Sequence, residues 1–386
     1  MTVVVQKFGG TSVNTAEKRE MVMAKIIAAR ENGHDVVVVV SAMGRKGEPY
    51  ATDTFLEMLK ELGPDPSPKL KDLLTSCGEI ITTCVLVQAL ETKGYPAVAM
   101  TGFQAGLITD DNFTNAEVIK INPAKVKKHL EQGKIVVVAG FQGWTEEMDI
   151  TTLGRGGSDT TAIALGGALE ADEVIIYTDV PGAAFTDPRM IPQAPYLKSI
   201  DFSPMYLLAR AGTKVIHHRA VKTAITYNRP FYIRSTFNDD QGTLIGQPGE
   251  SFRGLFGLAL LKDVTLLRIA GEDKGGLWRR LALDDIFYQA ADGECLVAIL
   301  SPLPLPEDGV AVTSVAEECH LITAVWEPES GIKPEIIENL LTQEGIIARG
   351  YFKQSAGGTW AVAPSESVRA MQLLFGLACG EQARAV

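Results

Sequence analysis

Short apolar runs alternate with longer stretches of helical periodicity along the first two thirds of the chain. The clearest run is 36–40, which is five consecutive valines. Such a run is typical of a strand that is buried on both faces of a parallel sheet. The runs 3–8, 36–40, 97–100, 135–139, 174–177 and 231–234 predict strands, and 17–30, 80–90, 160–169 and 220–227 predict helices. This alternation predicts a three-layer α/β domain, with 231–234 as its final strand.

The pattern changes after residue 242. The stretch 242–253 is rich in glycine, contains Pro248 and holds no long apolar run, which indicates a linker. Beyond it, 264–269, 295–300, 320–325, 346–352 and 360–362 predict strands, and 277–290, 334–342 and 365–379 predict helices. We therefore predict three parts: an α/β domain over 1–245, a linker over 246–260 and an α+β region over 261–386.

Composition narrows the class of protein. The chain has 386 residues, 46% of them hydrophobic, and a formal net charge of −11. That acidic balance argues against general nucleic-acid binding, which needs a basic face. No run approaches the roughly 20 apolar residues that cross a bilayer, and the start lacks a signal peptide's basic leader. Five scattered cysteines indicate reduced thiols and a cytoplasmic location.

Several common catalytic signatures are missing from the sequence. It contains no P-loop, no zinc-spaced Cys or His cluster and no Gly-x-Ser-x-Gly elbow. It does contain glycine-rich loops that follow predicted strands and carry single charged residues. Because the carboxyl ends of parallel strands meet at one edge of a sheet, these loops are candidates for a shared site.

The first of these loops is Lys7-Phe8-Gly9-Gly10-Thr11-Ser12. Two glycines let the backbone approach a bulky anion, and free amides at a helix start favour phosphate. Lys7 would neutralise phosphate charge. The alternative is a tight turn beside a solvated lysine.

The second loop is 151–161, where three glycines surround Arg155. An arginine in such a loop projects into a cleft, where a guanidinium grips a carboxylate at two points. Ser158 and Asp159 could also act only as caps of the following helix. Capping explains neither the glycines nor the arginine.

The third loop, 177–189, has two aspartates, Arg189 and the turn pairs Pro-Gly and Asp-Pro. Its charges suit a ribose or a metal–phosphate partner. An ordinary polar turn is the alternative for this loop taken alone.

Taken together, the loops resemble the aspartate kinases of the amino-acid-kinase superfamily. The match begins with Lys7-Phe8-Gly9-Gly10-Thr11-Ser12. It continues in order through 41–44, 52–53, 76–79, 101–106, 140–143, 152–159, 178–189, 211–217 and 234–237. The resemblance spans roughly residues 3–245, and it implies a three-layer α/β/α amino-acid-kinase fold. It also implies transfer of the ATP γ-phosphoryl group to the β-carboxylate of L-aspartate, the first step of aspartate-family amino acid biosynthesis.

The resemblance also assigns roles to particular residues. Catalytic roles fall to Lys7, Arg155 and Asp159, and contacts with aspartate to Ser41, Thr52, Glu79 and Arg155. Glu79 would meet the substrate ammonium and Arg155 its α-carboxylate. Contacts with the nucleotide fall to Lys7, Gly9, Gly10, Ser12, Thr178, Asp179, Arg189 and Lys214. A carboxylate acceptor is already ionised at neutral pH, so the reaction needs no general base. Mg²⁺ would be bound by the ATP phosphates rather than by a protein cage.

Some positions depart from the family pattern. The family usually has a tyrosine near the position of Phe185, and its usual proline is replaced by His218. Between Met43 and Thr52 this chain carries Arg45, Lys46 and Pro49. We expect these changes to alter affinity more than reaction type. Two other readings stay open: a kinase of the same fold acting on glutamate or N-acetylglutamate, and a silent amino-acid-binding relative.

The C-terminal region resembles a divergent pair of ACT modules, the small regulatory units of this family. Segment 271–277 resembles an effector loop, whereas the proline-rich segment 300–314 is atypical. The resemblance implies a homodimer formed through this region. We expect weak or absent inhibition by lysine and threonine, because the remaining effector loops cannot be traced.

Overall fold

The structure is a computed structural model that describes residues 2–249, 251–270, 286–291, 294–300 and 312–380. Its strands are β1 (Val3–Phe8), β2 (Asp35–Val40), β3 (Ala97–Met100), β4 (Leu107–Thr109), β5 (Val118–Ile121), β6 (Ile135–Ala139), β7 (Gln142–Trp144), β8 (Ile150–Thr152), β9 (Glu173–Thr178), β10 (Ser199–Ile200), β11 (Phe231–Ser235), β12 (Thr243–Ile245), β13 (Leu255–Ala270), β14 (Ile286–Ala291), β15 (Glu294–Leu300), β16 (Val312–Trp326), β17 (Gly350–Gln354) and β18 (Gly357–Val362).

The helices that the structure describes are α1 (Gly10–Val13), α2 (Ala16–Glu31), α3 (Thr52–Leu62), α4 (Pro68–Thr75), α5 (Cys77–Thr92), α6 (Ala124–Glu131), α7 (Gly157–Ala168), α8 (Phe202–Arg210), α9 (His218–Thr226), α10 (Pro334–Gln343) and α11 (Ser367–Cys379). The chain divides into two compact units. The first unit is Met1–Ala183 with Val215–Pro248, and the second is Ala184–Lys214 with Gly249–Val386.

A parallel sheet forms the centre of the first unit. Its strands follow the order β12-β11-β9-β1-β2-β6-β3, and all of them are parallel to their neighbours except β12. Val5 of β1 lies between Val37 of β2 and Val174 of β9. The prediction of a parallel α/β sheet is therefore confirmed.

Helices cover both faces of this sheet. Val36, Val38 and Val40 belong to a core cluster with Ile26 of α2 and Leu86 of α5. Successive strand residues point to opposite faces, so the alternate valines of β2 face the other side, where α7 contacts β1, β2 and β9. The expected three-layer α/β/α arrangement is confirmed.

Helices α4 and α5 form a nearly continuous stretch, Pro68–Thr92. Among the described residues, this stretch alone is long and apolar enough to span a membrane, although half of its most apolar window is buried. Leu86 and Leu90 are fully buried in the core cluster. The burial marks this stretch as a core helix of the first unit.

A second, smaller sheet in the first unit has the order β5-β4-β7-β8. Its last strand leads directly into the glycine-rich loop at 153–157, and α7 begins at Gly157. The pattern of the sequence does not reveal these strands, which have only three or four residues each.

The second unit contains a six-stranded sheet of order β14-β15-β13-β16-β18-β17, and each neighbouring pair is antiparallel. Helices α8 and α11 pack on β13 and β16. Trp360, Phe352 and Leu374 are buried there. These elements agree with the predicted α+β character of the C-terminal region.

Several predicted bounds need correction. The predicted helix over 277–290 is wrong where it can be compared, because β14 covers Ile286–Ala291 and pairs with β15. Residues 277–285, the loop 271–277 and most of 300–314 lie outside the described residues. The strand at 231–234 is not the final one, since the chain returns as β12. The strand predicted at 346–352 begins at Gly350, and β13 begins at Leu255, inside the predicted linker 246–260.

Candidate active site

The loop after β1 approaches the loop after β2 very closely. A Cβ atom at Gly10 would lie 2.2 Å from the Ala42 carbonyl oxygen and 3.1 Å from that of Gly44. No larger residue fits there without moving the backbone. The glycine therefore brings the ends of two adjacent parallel strands together at the edge of the sheet.

An ion pair joins the end of β1 to the start of α7. The Lys7 Nζ lies 2.5 Å from Asp159 Oδ1, and the two side chains are only 11% and 14% exposed. Asp159 is in the first turn of α7, where the helix dipole favours negative charge. The pair holds the lysine ammonium at the mouth of the glycine loop.

Arg155 lies between two glycines with left-handed backbone. The φ angles are +69° at Gly154 and +71° at Gly156, and a Cβ atom at Gly156 would lie 2.4 Å from the Cβ of His217. This tight turn makes Arg155 the exposed residue of the loop. The predicted projection of Arg155 into a cavity agrees with this geometry.

Glu79 is a buried carboxyl group in the first turn of α5. It is 2% exposed, and its Oε1 accepts a hydrogen bond of 3.1 Å from the Ala42 amide. Its Oε2 is buried with no hydrogen-bond partner among the described residues. Burial raises the pKa of the Glu79 carboxyl to about 8. Such a group gains most from a cationic ligand.

These side chains line one cavity of about 410 Å³ in the first unit. Its lining includes seven of the residues to which the family resemblance assigns a role: Lys7, Gly10, Ser41, Thr52, Glu79, Arg155 and Asp159. Its volume suits small-molecule ligands. The wall combines a lysine and bare amides with a guanidinium and a buried carboxyl, so it can hold anionic groups beside an ammonium.

Other predicted residues lie around this cavity rather than in its lining. The Ser12 hydroxyl is buried against Thr236 Oγ1 at 2.8 Å. Gly9 adjoins Lys7. Thr178 is the last residue of β9 and Asp179 follows it, and the Asp179 carboxylate lies 3.5 Å from the Arg45 guanidinium.

Arg189 and Lys214 belong to the second unit. Arg189 donates two side-chain hydrogen bonds, of 2.6 and 2.9 Å, to the Asp187 carboxylate. These contacts lower the pKa of the Asp187 carboxyl. The nucleotide contacts assigned to Arg189 and Lys214 stay predictions.

Two cations of the cavity wall are departures from the family pattern and have no role assigned by the resemblance. Arg45 and Lys46 line the cavity, and Lys46 Nζ lies 2.7 Å from Glu57 Oε1. Both residues directly follow a glycine loop at the carboxyl end of a strand, which was the available signal. The departure at Phe185 lies in the second unit, where its ring packs edge-on against Phe252 and Phe375.

Comparison with known proteins shows the family to which this chain belongs. The model of the amino acid kinase family matches residues 2–235. Aspartokinase 2 of Bacillus subtilis (strain 168) is 45% identical over 330 residues, which cover 85% of this chain and 79% of that protein. Aspartokinase 1 of the same strain is 45% identical over 276 residues, covering 70% and 68%.

Among solved structures, E. coli aspartokinase III in complex with aspartate and ADP matches with a TM-score of 0.78 at 23% identity. The match covers 98% of this chain and all of that one. At this identity the likeness concerns the fold. The family match and the identity to curated relatives go further: this chain belongs to the amino acid kinase family, and within it to the aspartokinases.

Proposed function

We propose that this protein is an aspartate kinase, which transfers the γ-phosphoryl group of ATP to the β-carboxylate of L-aspartate and yields 4-phospho-L-aspartate. The observation that carries the proposal is the single cavity that combines Lys7, Glu79 and Arg155. Identity of 45% to curated aspartokinases supports the same reaction.

The amino acid would be held at the Glu79 and Arg155 side of the cavity. The Glu79 Oε2, which has no hydrogen-bond partner in the described part of the chain, suits the substrate ammonium, and the Arg155 guanidinium suits the α-carboxylate. Ser41 and Thr52 offer hydroxyls in the same wall. With both α-groups held, the β-carboxylate remains free to meet the nucleotide.

The phosphates would lie at the Lys7 side. The Lys7 ammonium and the close backbone at Gly9 and Gly10 suit the charge that spreads over the phosphoryl oxygens during transfer. Asp159 keeps the ammonium in position through the 2.5 Å ion pair. The attacking β-carboxylate needs no base, so catalysis consists of alignment and charge neutralisation.

We include Mg²⁺ in this proposal as a partner of the ATP phosphates. In such sites the metal takes most of its ligands from phosphate and water, with one or two carboxylates from protein. No group of three His, Cys, Asp or Glu side chains clusters for a metal among the described residues. Asp159 is a carboxylate of the cavity wall that could join it.

The other acidic acceptors fit less well. N-acetylglutamate has no free ammonium to pair with the buried Glu79 carboxylate. Glutamate has one, but its extra methylene lengthens the side chain, a difference that enzymes use for about 10- to 200-fold discrimination. A silent binding protein would have no need of the Lys7–Asp159 pair.

We also propose that the protein acts in the cytoplasm as a homodimer formed through its C-terminal region, with no nucleic-acid or membrane partner. Within the described residues, the antiparallel sheet of the second unit has β14 and β17 at its edges, and edge strands offer unpaired backbone groups to another chain. Lysine and threonine should inhibit weakly or not at all.

A substrate panel tests the proposed reaction. ADP release is measured with ATP and Mg²⁺ in the presence of L-aspartate, L-glutamate, N-acetyl-L-glutamate or no acceptor. We expect turnover with aspartate and little with the other two acids. Preference for either of those acids would overturn the assigned substrate, and no turnover with any acid would favour a silent relative.

A further inference from the structure

A buried aspartate holds the strand that leads to Arg155. Asp72 of α4 is 1% exposed. Its Oδ2 accepts hydrogen bonds of 2.9 Å from the amides of Thr152 and Thr114, and its Oδ1 accepts one of 2.7 Å from the Thr152 hydroxyl. Burial raises the pKa of the Asp72 carboxyl, while the hydrogen bonds from Thr152 and Thr114 oppose that rise because they favour the carboxylate.

An arginine holds the same segment from α9. The Arg219 Nη1 donates to the Leu153 carbonyl at 2.7 Å and to Asn115 Oδ1. Its Nη2 donates to the carbonyls of Ala116 at 3.0 Å and Asn115 at 3.3 Å. One planar guanidinium thus ties three backbone carbonyls and one amide oxygen together.

The two anchors meet through the turn at 114–116. The Ala116 amide donates to the Thr152 carbonyl at 2.9 Å. A Cβ atom at Gly154 would lie 2.7 Å from Asn115 Oδ1 and 3.2 Å from Arg219 Nη1. Residues 152–154, immediately before Arg155, are therefore fixed from both sides. We call Asp72, Asn115 and Arg219 the brace.

We propose that the brace positions Arg155 for recognition of the substrate α-carboxylate, so that Asp72, Asn115 and Arg219 are positioning residues of this enzyme. The inference rests on the proposed function. None of the three lines the cavity that holds Arg155. Asp72 and Arg219 each bind the backbone at 152–153, which leads to Arg155, and the Asn115 side chain accepts a hydrogen bond from Arg219. Small misplacement of a binding group is costly to catalysis.

Steady-state kinetics of brace variants test this role. Arg219→Lys keeps the charge but loses the planar fork, and Asp72→Ala removes the acceptor of all three hydrogen bonds from Thr114 and Thr152. We expect each to raise KM for aspartate about tenfold and to change KM for ATP less than about twofold. Asn115→Ala removes only one side-chain contact, and it replaces the other two variants in this test if they do not fold.

Arg229→Lys is the matched control. Arg229 also donates to a backbone carbonyl in the first unit, that of Ala171, at 2.8 Å. We expect this variant to keep both KM values. Equal increases in both KM values for a brace variant, or the same shift in Arg229→Lys, would mean that the brace only stabilises the fold.

A double-mutant cycle separates positioning from independent effects. If Arg219 acts through Arg155, then Arg219→Lys adds no further loss of kcat/KM for aspartate in an Arg155→Ala background. Full additivity would overturn the proposal, and so would an Arg155→Ala enzyme with unchanged aspartate dependence. Should the wild-type enzyme prefer another acid, the proposed function fails, and the same cycle on that acid still tests the brace.

Discussion

The Glu79 carboxyl lowers the stability of the ligand-free protein, because its buried Oε2 has no hydrogen-bond partner among the described residues. The sequence could point to Glu79 only through its family resemblance. Neither its burial nor its raised pKa is visible in a stretch that reads as a helix start. The burial comes from the approach of α5 to the Ala42 loop, where a Cβ atom at Gly78 would lie 2.7 Å from the Ala42 Cβ. In the proposed function, the Glu79 Oε2 is the group that would bind the substrate ammonium.

The pKa of Glu79 predicts a pH-dependent KM. With a pKa of about 8, the free enzyme holds this carboxyl mostly protonated at neutral pH. The proton must leave before an ammonium binds, so KM for aspartate should fall as pH rises from 6 to 8, by at most about tenfold per pH unit. KM measured at several pH values checks this, with Glu79→Gln as the control that should lose the dependence. A wild-type KM that is constant over this range would contradict it.

The raised pKa of Glu79 also makes the stability of the folded protein depend on pH. Because the pKa of Glu79 is higher in the folded than in the unfolded protein, stability is lost as pH rises from the ordinary pKa of glutamate towards 8. Glu79→Gln should therefore raise the Tm of the ligand-free enzyme more at pH 8 than at pH 5. Thermal unfolding of both proteins at the two pH values measures this difference, and an equal gain at both would be inconsistent with a buried, titrating carboxyl.

Lys7 should contribute to kcat more than to aspartate binding. Lys7→Ala removes the cation nearest the glycine loop, and we expect kcat to fall about 100- to 1000-fold. Lys25→Ala is the matched control, since Lys25 also forms a 2.5 Å ion pair, with the exposed Asp239. Lys7→Ala leaves the Asp159 carboxylate without its ion-pair partner, so the double variant Lys7→Ala/Asp159→Asn is measured as well. Thermal unfolding of each variant verifies that it is folded. Retention of wild-type kcat by Lys7→Ala would remove Lys7 from the proposed mechanism.

Among the helices and strands, the sequence best predicts those that contain long runs of apolar residues. The valine runs of β2 and β6 specify a two-sided buried sheet, and both strands form as expected. Short strands such as β7 and β8 depend on each other through tertiary pairing, which no local pattern records. The sequence predicts a helix over 277–290, but residues 286–291 form the strand β14 because they pair with β15. Pairing within a sheet can outweigh local propensity.

In the loop that carries Arg155, we expect a single methyl group added at Gly156 to affect both stability and aspartate binding strongly. At Gly156 the φ of +71° and the nearby His217 Cβ both oppose a side chain. Gly156→Ala should cost about 1–3 kcal/mol of stability and raise KM for aspartate. Gly94→Ala is the control, because Gly94 also has a positive φ, of +86°, but has no atom within 4 Å of its Cβ position. Denaturant unfolding and aspartate kinetics compare the two. Equal effects would show that the fit at Gly156 does not matter to the site.

At the scale of the whole molecule, the sequence predicts an α/β part followed by an α+β part. It does not reveal that residues 184–214 group with the C-terminal residues in the second unit. That grouping arises from contacts distant in sequence, such as the Leu258 amide donating to the Phe185 carbonyl at 2.8 Å. Local patterns carry no information on such contacts.

The edge strands of the second unit predict self-association. We expect light scattering coupled to size-exclusion chromatography to give twice the chain mass of 41.5 kDa. A mass of one chain at micromolar concentration would contradict the proposed homodimer. Aspartate turnover measured alongside should show neither lysine nor threonine as a strong inhibitor.

The identity of the phosphorylated product is the most direct test of phosphoryl transfer to the β-carboxylate. With ATP, Mg²⁺ and L-aspartate, hydroxylamine traps an acyl phosphate as a hydroxamate, which chromatography and mass spectrometry compare with authentic α- and β-aspartyl hydroxamates. The proposed arrangement, with both α-groups held by Glu79 and Arg155, predicts the β-isomer alone and its loss in Lys7→Ala. Formation of the α-isomer, or of no hydroxamate while ATP is consumed, would contradict it.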